Sequence, residues 1–219
     1  MKTRIPWLTI LCLALAAIPA SAQQDLYDNG PINGTTDAWT INFGYVISDT
    51  FTLLNNSTVG GFNFGAWEFP GDTLTSVDWS ITHGEQGGTL YGSGTASGKN
   101  LTDQFISTNQ YGYDIDKITV TGLNVGLSGG TYWLNLGNAV VPSGDPVFWD
   151  ENSGIGCGGD DGKGGGCPSE PSGNFEGTIP SESFTVTGTA SGSTPEPASA
   201  MLFGSGVVGL LAALRRKLF

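Results

Sequence analysis

The chemistry open to this chain is mostly carboxylate chemistry. Twenty Asp and Glu residues stand against eight Lys and Arg and a single histidine. His83, in Thr82-His83-Gly84-Glu85, follows an apolar alternating segment and reads as a loop residue with no catalytic partner. A glycosidase would need two facing carboxylates at a defined separation. Glu68, Asp78, Glu85, Asp114, Asp116, Asp150 and Glu151 are the raw material. Glu68 stands out because Trp67 and Phe69 flank it; neighbouring rings could raise its pKa or stack on a sugar. No partner for it is recognisable, so the expectation is a protein without catalysis, and a secreted carbohydrate-active hydrolase is the alternative.

A second set of carboxylates lies late in the chain. Asp145, Asp150, Glu151, Asp160 and Asp161 gather around a glycine-rich segment. Hard oxygen ligands of this kind suit calcium, although the spacing is not that of an EF-hand. A solvated acidic loop is the simpler reading and a calcium site the sharper one; no other cofactor is expected. Cys157 and Cys167 bracket the same segment. Two thiols in an exported chain are expected to pair, and a bridge closing so short a loop contributes about 2–3 kcal/mol. For sugar stacking, Trp133 and Trp149 are the candidate platforms: Trp133 is out of phase with Tyr132, Leu134 and Leu136, and Trp149 sits in an acidic stretch. Trp39 and Trp79 lie on apolar strand faces and are expected in the core.

The elements that must position these residues are strands. Apolar residues alternate at Trp39, Ile41, Phe43, Tyr45 and Ile47, predicting one strand. Further strands are expected from Phe51, over Gly61–Phe69 with a bulge, at Val77–Ile81, Thr89–Ser97, Leu101–Ile106, Lys117–Val125, Tyr132–Leu136, Pro146–Trp149 as an edge, and Ser183–Gly188. Glycine is too frequent for long helices, and no apolar 3.6 period runs through the body. The fold class is therefore all-β: one β-sandwich, jelly-roll-like, over residues 23–188, with residues 189–194 as a flexible linker.

Both ends are addresses. Lys2 and Arg4, the apolar run Trp7–Ile18 and the small residues Ala20-Ser21-Ala22 form a signal peptide over residues 1–22. At the other end Pro195-Glu196-Pro197 precedes an uncharged apolar run, Ala198–Leu214, and then Arg215-Arg216-Lys217. Seventeen residues of helix reach about 25 Å, enough to cross a bilayer core, with the basic end on the cytoplasmic side. Five of the eight basic residues lie in these ends and only one of the twenty acidic ones. The body between keeps three Lys against nineteen carboxylates, a net charge of −16. Such a surface repels nucleic acid.

Pro-Glu-Pro, apolar helix and basic cluster, in that order at residues 195–219, resemble the PEP-CTERM sorting signal of Gram-negative bacteria. The same tail is also classed as an ice-binding-protein C-terminal domain, a label for the tail and not for an activity. The resemblance implies recognition of Pro195, Glu196 and Pro197 by an exosortase, a membrane-embedded cysteine transpeptidase, and release or attachment at the cell surface. It also implies company with exopolysaccharide. The expectation is an exported, surface-sorted, non-catalytic protein of the cell envelope or extracellular matrix, structural or adhesive, with polysaccharide as partner. The membrane is engaged through the C-terminal helix.

Overall fold

The computed structural model describes residues 23–152, 172–174 and 177–191, and residues Gln23–Ser191 form one compact unit. The signal peptide with Ala20 and Ala22, the cysteine pair Cys157 and Cys167, Asp160, Asp161 and the sorting tail lie outside the described residues. Among the described residues no helix is long and apolar enough to cross a membrane.

Among the described residues thirteen strands follow one another. They are β1 (Gln24–Asp28), β2 (Ala38–Thr40), β3 (Val46–Leu53), β4 (Ser57–Glu68), β5 (Ser76–Gly84), β6 (Gly87–Ser97) and β7 (Leu101–Thr108), then β8 (Asp114–Leu127), β9 (Gly130–Val140), β10 (Phe148–Asp150), β11 (Ser172–Asn174), β12 (Gly177–Ile179) and β13 (Phe184–Ala190). They form two antiparallel sheets. The first is built on β4, which pairs along one edge with β8, and β8 with β7. The other edge of β4 pairs first with β13, which carries β1, and at Ala66 and Trp67 with β10, which carries β2. The second sheet runs β12-β11-β3-β9-β5-β6.

The expected alternation puts the core where the two sheets meet. Phe62, Phe64 and Ala66 from β4, Ile118 and Val120 from β8, and Phe184 and Val186 from β13 are buried with Ile47 and Phe51 from β3, Val77 and Ile81 from β5, and Leu134 and Leu136 from β9. Each large side chain removed from water in this way contributes about 1.5–3 kcal/mol.

Three differences from the sequence reading matter. The single strand expected over Trp39–Ile47 is broken: Phe43 and Gly44 have φ of 55° and 88°, Tyr45 N donates to Asn42 O at 3.0 Å, and Phe43 and Tyr45 are exposed. The chain turns here to move from the first sheet to the second, so local alternation ran across a corner. The Phe148–Asp150 strand is not an edge; it lies between β4 and β2. The last strand runs into the expected linker, reaching Ala190, with Ser191 N bonded to Asn56 O.

Candidate functional site

Three carboxylates from three adjacent strands of the first sheet converge at one end of the sandwich. Glu68 ends β4, Asp103 lies in β7 and Asp116 in β8. Register explains their meeting: Ala66 pairs with Asp116 and Asp103 with Ile118, and antiparallel partners point to the same side. Glu68 continues the inward series Phe62, Phe64, Ala66, while Asp116 continues Val120, Ile118. Both therefore enter the core face just where the apolar residues end. One oxygen from each of the three carboxylates lies within 4.8 Å of the others.

The electrostatics of this cluster are unfavourable to charge. Glu68 is 0% exposed, and neither of its carboxylate oxygens has a hydrogen-bond partner among the described residues. Burial, and then the charges of Asp103, Asp116, Asp72 and Asp114, push its pKa up to about 8. Asp116 is pushed up to about 7 by burial first and by Asp103 and Asp114 next, and it shares a hydrogen bond with Asp103. Asp103 is half-buried and is raised by burial, offset by bonds from Leu74 N–H, at 2.6 Å, and from Asp116. The loop of residues 69–75 is strapped across this end. Gly71 N donates to Asp114 Oδ2 at 3.2 Å, Leu74 N donates to Asp103, and Thr75 N and Oγ1 both donate to Val140 O.

The opposite face of the same strand end is aromatic. Trp67, one residue before Glu68, points outward, where Tyr111 stacks on it with centroids 5.8 Å apart and planes 25° from parallel. Tyr113 touches Trp67, Phe69 and Phe148. Tyr111 keeps 57% of its surface in solvent. Trp67 itself is fixed by its Nε1–H, which donates to Asp150 Oδ1 at 2.6 Å.

The sequence-derived candidates fare unevenly. Trp149 is not a ligand platform: it is 0% exposed, meets Phe64 and Phe184 edge-on, and donates its Nε1–H to Ser183 O at 2.9 Å. Its strand lies inside the first sheet, so the acidic neighbours do not imply a wet loop. Trp133 lies in β9 on the face opposite Tyr132, half-buried. Trp39 and Trp79 pack against the core as expected. His83 is exposed in the last turnward residues of β5 rather than in a loop.

The expected calcium set does not converge among its described members. Asp145 lines a shallow surface depression with Asn42, Phe43 and Val140. Asp150 is fully buried and already holds four donors: Trp67 Nε1, Gly34 N at 2.9 Å, Asn33 N at 2.9 Å and Ser183 Oγ at 3.1 Å. Glu151 accepts from Trp39 Nε1 at 2.6 Å. Of the residues that do meet, sequence reasoning picked out Glu68 and Asp116 as carboxylates and missed Asp103. The available signal was phase: Glu68 and Asp116 both fall on the apolar beat of their strands, where a carboxylate is out of place.

The model of the PEP-CTERM protein-sorting motif matches residues 193–217. No curated protein matches the chain. The chain thus carries the sorting motif expected from its last 25 residues, which marks it for export and surface sorting and implies processing by an exosortase.

Proposed function

We propose that this exported β-sandwich is a non-catalytic structural or adhesive protein of the cell envelope or extracellular matrix, and that its partner is an uncharged polysaccharide. The observation that carries the partner is the aromatic group around Trp67. Tyr111 lies flat on a buried ring with most of its surface in water, the arrangement that offers a sugar ring a rigid stacking face at little entropic cost. Phe69, also exposed, extends the group on the same strand end. The acidic body argues for an uncharged chain, because an anionic one would be repelled.

The absence of catalysis is supported by the carboxylate geometry. A retaining glycosidase holds its carboxyl groups about 5–5.5 Å apart and an inverting one about 6.5–9.5 Å. Here Glu68, the member of the cluster set deepest in the fold, has no solvent exposure from which to meet a glycosidic oxygen. Anchoring before processing would run through the apolar run Ala198–Leu214. Affinity electrophoresis against neutral and acidic polysaccharides tests the reading. Retardation by a neutral polymer, reduced about tenfold in Tyr111→Ala, is expected. Release of new reducing ends would sink the non-catalytic part, and unchanged mobility in every polymer would sink the partner.

A further inference from the structure

We propose that Glu68, Asp103 and Asp116 bind a calcium ion that ties β4, β7 and β8 and the loop of residues 69–75 into one unit after export. The geometry is compatible with a cation site. An ion about 2.4 Å from each of two oxygens can span about 4.8 Å between them. The three oxygens lie within that reach of one another without any movement of the strands.

The second observation is Glu68 itself. It is fully buried, aims its carboxylate into the cluster, and has no hydrogen-bond partner for either oxygen among the described residues. A buried carboxylate in that condition needs a counter-charge or a proton. The charged groups that bear on it, Asp103, Asp116, Asp72 and Asp114, are all acidic, so no side chain among the described residues supplies the counter-charge. Lys117 is next to Asp116 in β8 and so projects from the other face of the sheet.

The chemistry of the donors selects the ion. All are carboxylate oxygens, and among the described residues no imidazole or thiolate accompanies them, which disfavours zinc and copper. Magnesium demands shorter bonds and a stricter octahedron and sheds water reluctantly. Calcium accepts six to eight oxygens at flexible angles. The three carboxylates would leave positions for water or for Asp114, whose carboxylate is tied to Gly71 N and Thr108 Oγ1 beside the cluster. Half-buried Asp103 is the side from which an ion can enter. The loop benefits because Leu74 N already binds Asp103; fixing Asp103 fixes the loop. Extracellular modules bind calcium at about 0.1–1 mM, which suits a site that fills once the protein is outside the cell.

The test is calorimetric titration of the chelator-stripped full chain in detergent with calcium chloride at pH 7.5, followed by thermal unfolding. One site with a Kd of about 0.1–1 mM is expected, together with a Tm several degrees higher in calcium. Glu68→Gln, which stands in for the protonated carboxyl and so folds without the ion, should weaken binding at least tenfold and lose the Tm response. Asp116→Asn should do the same. The proposal is overturned if 10 mM calcium leaves heat and Tm unchanged, if Glu68→Gln keeps the full response, or if magnesium at equal concentration matches it.

Discussion

Asp150 and Glu68 are both wholly buried carboxylates in the first sheet, and they are accommodated in opposite ways. Asp150 faces outward from β10 and is covered by the segment after β1, which turns two main-chain N–H groups, from Asn33 and Gly34, onto its oxygens. Trp67 and Ser183 supply two more donors. Burial raises its pKa, and those four bonds pull it back. Glu68 faces inward one strand away, with no donor among the described residues and four acidic neighbours. Depth in the fold is thus a poor guide to the state of a carboxylate. A ring of donors makes a buried anion a structural clasp, whereas their lack leaves it open to a proton or a metal ion.

The largest effect should come from breaking the clasp. Asp150→Ala strips the partner from four buried donors at once and unseats Trp67, whose indole it holds. A loss of about 3–5 kcal/mol is expected from urea denaturation. Because Tyr111 stacks on Trp67, polysaccharide retention should fall in the same variant wherever it still folds. A loss below 1 kcal/mol would mean that the donors find water, and that the clasp is incidental.

Gly34 comes next. Its φ of +64° is unfavourable for an L side chain, and a Cβ there would stand 2.6 Å from Ile115 Cγ1. Gly34→Ala should therefore cost about 2 kcal/mol through strain and overpacking, with Asp150 untouched. If Gly34→Ala proves neutral, the segment does not seat as closely on Ile115 and Asp150 as the contrast with Glu68 requires.

Glu68→Gln should have the opposite sign. Without calcium at pH 7.5 the buried carboxyl folds only by taking up a proton that the unfolded chain does not hold; Gln removes that cost, and a gain of about 1–2 kcal/mol is expected. Destabilisation in chelator would show that the native carboxylate has a partner, and the contrast with Asp150 would fail.

Much of the fold could be read from alternation, because a strand with one buried face writes its period into the sequence. The segments containing Phe62 and Phe64, Val77 and Ile81, Leu134 and Leu136, and Phe184 and Val186 are strands with those residues inward. What alternation cannot carry is the pairing of distant segments. Trp149 reads as the end of an edge strand in an acidic stretch until β10 is known to lie between β4 and β2. Asp150 reads as a metal ligand until Asn33 and Gly34, more than a hundred residues earlier, fold onto it. Asp103 joins Glu68 only through two ladders, β4 to β8 and β8 to β7. Glu68 and Asp116 did leave a local trace, a carboxylate on the apolar beat, and that trace is the part of the site open to sequence reasoning.

Glu182 tests the comparison from between its extremes. It is fully buried near the Asp150 clasp, and the charges of Asp49, Glu151, Asp150 and Asp37 all bear on it. Donors are present but already committed: Asn29 Nδ2 serves Asp49, Ser181 Oγ and Glu182 O, while Ser181 Oγ and Glu182 N serve Asp49. Neither Glu182 carboxylate oxygen has a partner among the described residues. Burial, then those four carboxylates, raise its pKa well above the ordinary value of 4.5. In the folded protein it therefore holds its proton to higher pH than in the unfolded chain, which loses it above about 4.5. The unfolded state binds fewer protons between its own pKa and the raised folded one, so stability contributed by this group falls as pH rises above about 4.5. Urea midpoints in chelator should drop between pH 5 and pH 7.5, and Glu182→Gln should remove part of that drop and raise the midpoint at pH 7.5. The smallest of the four effects, this one discriminates best: a variant with an unchanged slope would mean that a donor-rich neighbourhood neutralises every carboxylate within it, whether or not its donors are already spoken for.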